Sequence, residues 1–130
     1  MSTNETHIAW RPDDLHSSEM NIVSLTDDAA GFRILLQSFP PSSSSRMLQI
    51  RFEVLRAYRV IDEGDRVGQP FRPDRHSLIY KVENSMFLDE FHRLSAGMLR
   101  TFDLVHYFIV SVNDCVDVLA ETEPTLEWLP

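Results

Sequence analysis

The chain has 130 residues and a mass of 15.1 kDa, which fits one domain of roughly 100–200 residues. Hydrophobic residues make up 43% and charged residues 25%, which excludes a wholly disordered or fibrous chain. A net charge of −8 argues against nucleic acid and against anionic membrane surfaces, since both need a basic face.

The charge is uneven. Residues 1–31 carry one basic against six acidic residues, residues 32–81 nine against five, and residues 82–130 two against nine. Basic and acidic strands are therefore expected to become neighbours. The start, Met1 to Ile8, has no basic cluster and no apolar core, so no secretory signal is read there. The single Cys115 fits a reducing compartment, and a cytoplasmic location is expected. Leu104 to Val112 is the longest apolar stretch, about half of the roughly twenty residues that span a membrane.

Residues 1–130 are read as one globular domain, with residues 1–20 loosely ordered. His7 to Trp10 and Ile22 to Leu25 are short strand candidates, and Phe32 to Phe39 is a firmer one. Pro40-Pro41 followed by four serines makes a loop, because proline removes backbone donors and serine competes for them. Leu48, Ile50, Phe52 and Val54 then alternate with Gln49, Arg51 and Glu53, the period of a strand with one buried face. That strand is expected to run on through Tyr58 and Val60. Leu55 disturbs the alternation, and Arg56 suggests a bulge or a sheet edge.

Leu78 to Glu83 reads as a further strand ending at Asn84-Ser85, where a short polar side chain can cap a helix. Phe87, Leu88, Phe91 and Leu94 recur at helical spacing, predicting a helix over roughly 85–97 that stops at Gly97. Leu104 to Val112 is apolar on both faces and belongs in the middle of a sheet. Cys115 to Ala120 should pair back on it as a hairpin, and Trp128 and Leu129 in the tail should pack on the core. The fold class is α+β: an antiparallel sheet of about five to seven strands with one helix packed on it.

No catalytic, cofactor or metal motif emerges. The five histidines (7, 16, 76, 92 and 106) form no ligand-spaced pair, and one cysteine gives no zinc spacing. The four glycines build no phosphate loop. Asp114 and Asp117 flank Cys115 and would raise its thiol pKa, the wrong direction for a nucleophile. Arg51, Arg56, Arg59, Arg66, Arg72 and Arg75 are expected to pair with the acidic C-terminal strand, an anionic ligand or RNA being the alternative. Asp114, Asp117, Glu121 and Glu123, with Glu127 beyond them, have few basic neighbours and form a candidate acidic surface for a basic protein.

The stretches Val82 to Leu88, His106 to Ile109 and Asn113 to Leu119 resemble small uncharacterised bacterial proteins, some of which look like immunity proteins of polymorphic toxin systems. The resemblance spans about residues 76–120. It implies a toxin-like basic partner and no catalytic residue. Three readings follow. The first is a non-enzymatic binding module that occludes a basic partner with its acidic surface. The second is a small enzyme or ligand binder with Tyr58, Glu83 and His106 in an apolar pocket. The third is a structural subunit that forms a homodimer.

Overall fold

The protein is described from a computed structural model covering residues 5–10, 19–41, 46–62, 77–96, 103–112 and 114–130. Nine strands and one helix occur among these residues: β1 Thr6–Trp10, β2 Met20–Asp28, β3 Gly31–Ser38, β4 Met47–Phe52, β5 Leu55–Asp62, β6 Ile79–Glu83, α1 Met86–Leu94, β7 Val105–Val110, β8 Asp114–Ala120 and β9 Thr125–Leu129. They form two antiparallel sheets, one ordered β1-β6-β7-β8-β5 and the other β2-β3-β4-β9.

The expected alternation builds the interface between the sheets. From the four-stranded sheet come Phe32, Ile34 and Leu36 on β3 and Leu48, Ile50 and Phe52 on β4, none more than 1% exposed. From the five-stranded sheet come Ile79, Tyr107, Ile109, Val116 and Val118. Each such side chain contributes about 1.5–3 kcal/mol on burial.

The long strand expected from Leu48 through Val60 is two strands. β4 ends at Phe52, Glu53 and Val54 bend, and β5 joins the other sheet. At the bend Leu55, not Val54, packs on the core, and Val54 is left 40% exposed. Past the register shift Tyr58 and Val60 face the inter-sheet side, opposite Val118 and Val116. The break at Leu55 is the corner. Arg56 marks both features expected of it, because pairing with β8 shifts between Leu55 and Ala57 and β5 ends its sheet.

β7 is central as its two-sided apolarity requires, with β6 and β8 on its flanks. The hairpin with β8 forms, pairing Val105 with Ala120 through Val110 with Cys115. The tail differs from expectation. It becomes β9 beside β4, and Leu126 rather than Trp128 reaches the core. Trp128 remains 40% exposed, with the Arg46 guanidinium 5.2 Å from its ring centre.

Tyr107 sits in the inter-sheet core, edge-on to Trp10 and Phe52. Burial, aided by the charge of Glu123, pushes its phenol up to about 12 from 10.0. The folded state therefore favours the neutral phenol. Above pH 10 the unfolded chain ionises first, so stability should fall as pH rises from about 10 to 12. Denaturant melts across that range test this, and Tyr107→Phe should flatten the fall.

The opposite face of the five-stranded sheet carries a second cluster of Tyr80, Val82, Phe108 and Cys115, with His106 and Asp117 among them. α1 lies on this face, its Phe87 ring 5.6 Å from the His106 ring. Ser85 caps the helix as expected, its side chain accepting from the Leu88 N–H at 2.9 Å. The chain leaves the helix through Ala96 at φ 53. Gly97, the expected stop, lies outside the described residues.

Candidate functional site

Two arrangements of polar side chains stand out, one closed and one open. The closed one joins three elements beneath α1. The Ser85 hydroxyl lies 2.6 Å from His106 Nδ1, and His106 Nε2 lies 2.6 Å from Asp117 Oδ1. The second Asp117 oxygen accepts from Arg59 Nε at 2.9 Å. One set of proton positions satisfies every group: Ser85 accepts from Leu88 and donates to Nδ1, while Nε2–H donates to Asp117.

A hydroxyl, an imidazole and a carboxylate in line are the parts of a nucleophilic relay. Here the parts are sealed. Ser85 is 5% exposed, His106 3% and Asp117 1%. The Ser85 oxygen is also committed to capping the helix. The Arg59 guanidinium lies 4.3 Å from the Phe87 ring centre, covering the chain from the solvent side. Its work is to fasten α1 to β7, β8 and β5. A fluorophosphonate probe should leave Ser85 unmodified in the folded protein, as intact mass will show. Ser85→Ala should cost about 1–2 kcal/mol through the lost cap and the orphaned Nδ1, read by thermal melting.

This burial disperses the acidic strip expected at the C-terminal end. Asp117 faces inward beneath α1, so it lies on no exposed acidic surface. Glu121 Oε2 is held by Arg56 at 2.6 and 2.7 Å. Asp114 is half-buried opposite Asp62, Glu123 is exposed beyond β8, and Glu127 lies in the other sheet beside Gln49. The arginine pairing expected from charge balance is found for Arg56 and Arg59, while Arg66, Arg72 and Arg75 lie outside the described residues.

Tyr58, Glu83 and His106 do not share a pocket. His106 is under α1, Glu83 is exposed at the end of β6 opposite Thr6, and Tyr58 faces the other side of the sheet. Among the described residues no three histidine, cysteine or acidic side chains cluster as metal ligands. Among the described residues no helix is long and apolar enough to cross a membrane.

Tyr58 instead belongs to the open arrangement, a cleft of about 680 Å³ between the β2–β3 turn and the corner from β4 to β5. Phe32 and Tyr58 meet at 4.5 Å between ring centres and form its aromatic floor. Tyr58 stays 37% exposed. Asp27, Asp28, Glu53 and Val54 also line it.

The turn is built from the sequence outward. Gly31 adopts φ +112, a conformation side chains resist, and Arg51 crosses beside it to the Ala30 carbonyl. Asp28 accepts from the Ala30 N–H and from both Arg33 Nη atoms at 2.9 and 3.1 Å. Its bonds to Arg33, more than to Ala30, hold its carboxyl below the usual range. Asp28 is thereby spent on the turn. Asp27 and Glu53 are not: both are exposed, and no described residue pairs with either side chain.

Sequence reasoning missed Asp27 and Glu53. Glu53 reads in the sequence only as a polar position in a longer strand, and nothing there sets Asp27 beside it. The interruption of the alternation at Leu55 was the available signal, since a corner between sheets opens a cleft. No protein-family model, curated protein or solved structure matches this chain.

Proposed function

We propose that the protein is a non-enzymatic binding module that takes a cationic side chain of a partner protein into the cleft between Asp27, Glu53 and Tyr58. The observation that carries this reading is two unpaired carboxylates flanking an exposed tyrosine face. Carboxylates supply charge-assisted hydrogen bonds to a guanidinium, and the ring offers a cation–π surface. The net charge of −8 adds long-range attraction for a basic partner and speeds encounter.

The resemblance of residues 76–120 to immunity proteins supports an inhibitor that works by covering its target. Its single cysteine suits a cytoplasmic setting. On this reading the acidic surface is formed by Asp27 and Glu53 rather than by Asp114, Asp117, Glu121 and Glu123.

The test is capture from lysate of the source cells, followed by affinity measurement with the purified partner. Asp27→Asn, Glu53→Gln and Tyr58→Ala combined should weaken binding at least tenfold, with a smaller salt dependence. Unchanged affinity in that triple variant would overturn the reading.

A further inference from the structure

We propose that the partner enters as an extended basic segment that adds a strand beside β5, on the flank no described strand covers. This rests on the cleft reading and specifies the shape of what the cleft receives. Four strands end sheets among the described residues: β1, β5, β2 and β9. β1 and β9 have five residues each, and the nine residues of β2 are interrupted by a register shift between Ile22 and Ser24. β5 has eight, and past the shift at Arg56 it keeps unbroken register with β8 from Ala57 to Asp62. Six residues give a template of about 20 Å.

Edge strands are usually guarded by charged side chains that oppose pairing with another chain. The two cations of β5 do not stand guard. Arg56 and Arg59 both reach back over their own sheet, to Glu121 and Asp117. The alternate side chains Tyr58 and Val60 face the inter-sheet side yet remain 37% and 47% exposed. They are a ready apolar surface for a strand with its own apolar residues at every second position.

The cleft lies at the Leu55 end of β5, so one residue of the incoming strand falls within reach of Asp27 and Glu53. That residue is an arginine or lysine. A basic partner segment is favoured over a second copy of this chain, because a second copy brings another −8.

The experiment uses the full chain and two synthetic peptides of alternating valine and threonine, one ending in arginine and the other in glutamate. Amide hydrogen exchange and chemical shifts are read by NMR. With the arginine peptide, the amides between Ala57 and Asp62 that point away from β8 should exchange about tenfold more slowly and cleft resonances should shift. The glutamate peptide should do neither. Val60→Lys, at an exposed position, should keep the melting temperature and lose the β5 protection.

Cleft shifts with unchanged β5 exchange would overturn strand addition and leave the cleft reading intact. Silence at both places would overturn both. β5 protection without peptide, rising with protein concentration beside a doubled mass, would assign the edge to a second copy and overturn the partner segment.

Discussion

Replacing Asp117 by alanine is expected to lower the free energy of unfolding by about 3 kcal/mol, the lower end of the range for breaking a buried ion pair. The carboxylate is 1% exposed and accepts from both His106 and Arg59. Its removal leaves the imidazole N–H buried without an acceptor. The Arg59 side chain is 31% exposed, so it can turn to water, which limits the loss. Asp117→Asn should fall between wild type and alanine, since one amide oxygen still serves His106 while the NH2 group meets the Arg59 donor. Urea unfolding at neutral pH measures all three. A loss under about 1 kcal/mol for alanine would mean that the chain from Ser85 to Arg59 is not closed.

A second large effect is expected at Phe32. Its ring is 1% exposed and touches Phe52 at 6.1 Å and Tyr58 at 4.5 Å between centres. Phe32→Ala should cost about 3–5 kcal/mol, the transfer term plus an unfilled cavity at the corner of the sandwich. The same change removes the support beneath Tyr58. Cation binding should then weaken even at temperatures where the variant is fully folded. Phe32→Leu separates the two roles: it restores most of the volume but not the ring on which Tyr58 rests. Leucine is therefore expected to recover stability more completely than affinity, and equal recovery of both would contradict a role for the stacked floor.

The elements of this fold were legible wherever one strand face was buried. Ile34 and Leu36, like Leu48 and Ile50, alternate because each strand lies between a core and solvent. β7 was legible as central for the opposite reason, since His106 to Ile109 are all buried. The division into two sheets was not. Alternation reports that a face is covered and says nothing of which sheet covers it. Only Leu55 betrayed the corner. β9 escaped notice because its five residues keep just Leu126 against the core.

The site was less legible than the fold. Asp117 alternates with Val116 and Val118, and so was read as facing solvent. It does face away from them, but α1 covers that side too. Alternation locates a face without stating what lies over it. Ser85 was legible as a cap, yet its bond to His106 joins residues 21 positions apart. Asp27 and Glu53 are brought together by the β2–β3 turn and the β4–β5 corner, a juxtaposition set by sheet packing. Charge counting pointed to a basic partner, and the acids it singled out do not form one exposed surface.

The proposed cation site is the Asp27–Glu53–Tyr58 cleft and not the C-terminal acids. The most direct measurement is an NMR titration of the full chain with N-acetyl-arginine amide, with the uncharged citrulline analogue as control. Saturable shifts confined to residues 27–32 and 53–58, weakened by salt and absent with citrulline, are the predicted result. Shifts centred on Glu121 and Glu123, or equal responses to both compounds, would contradict it.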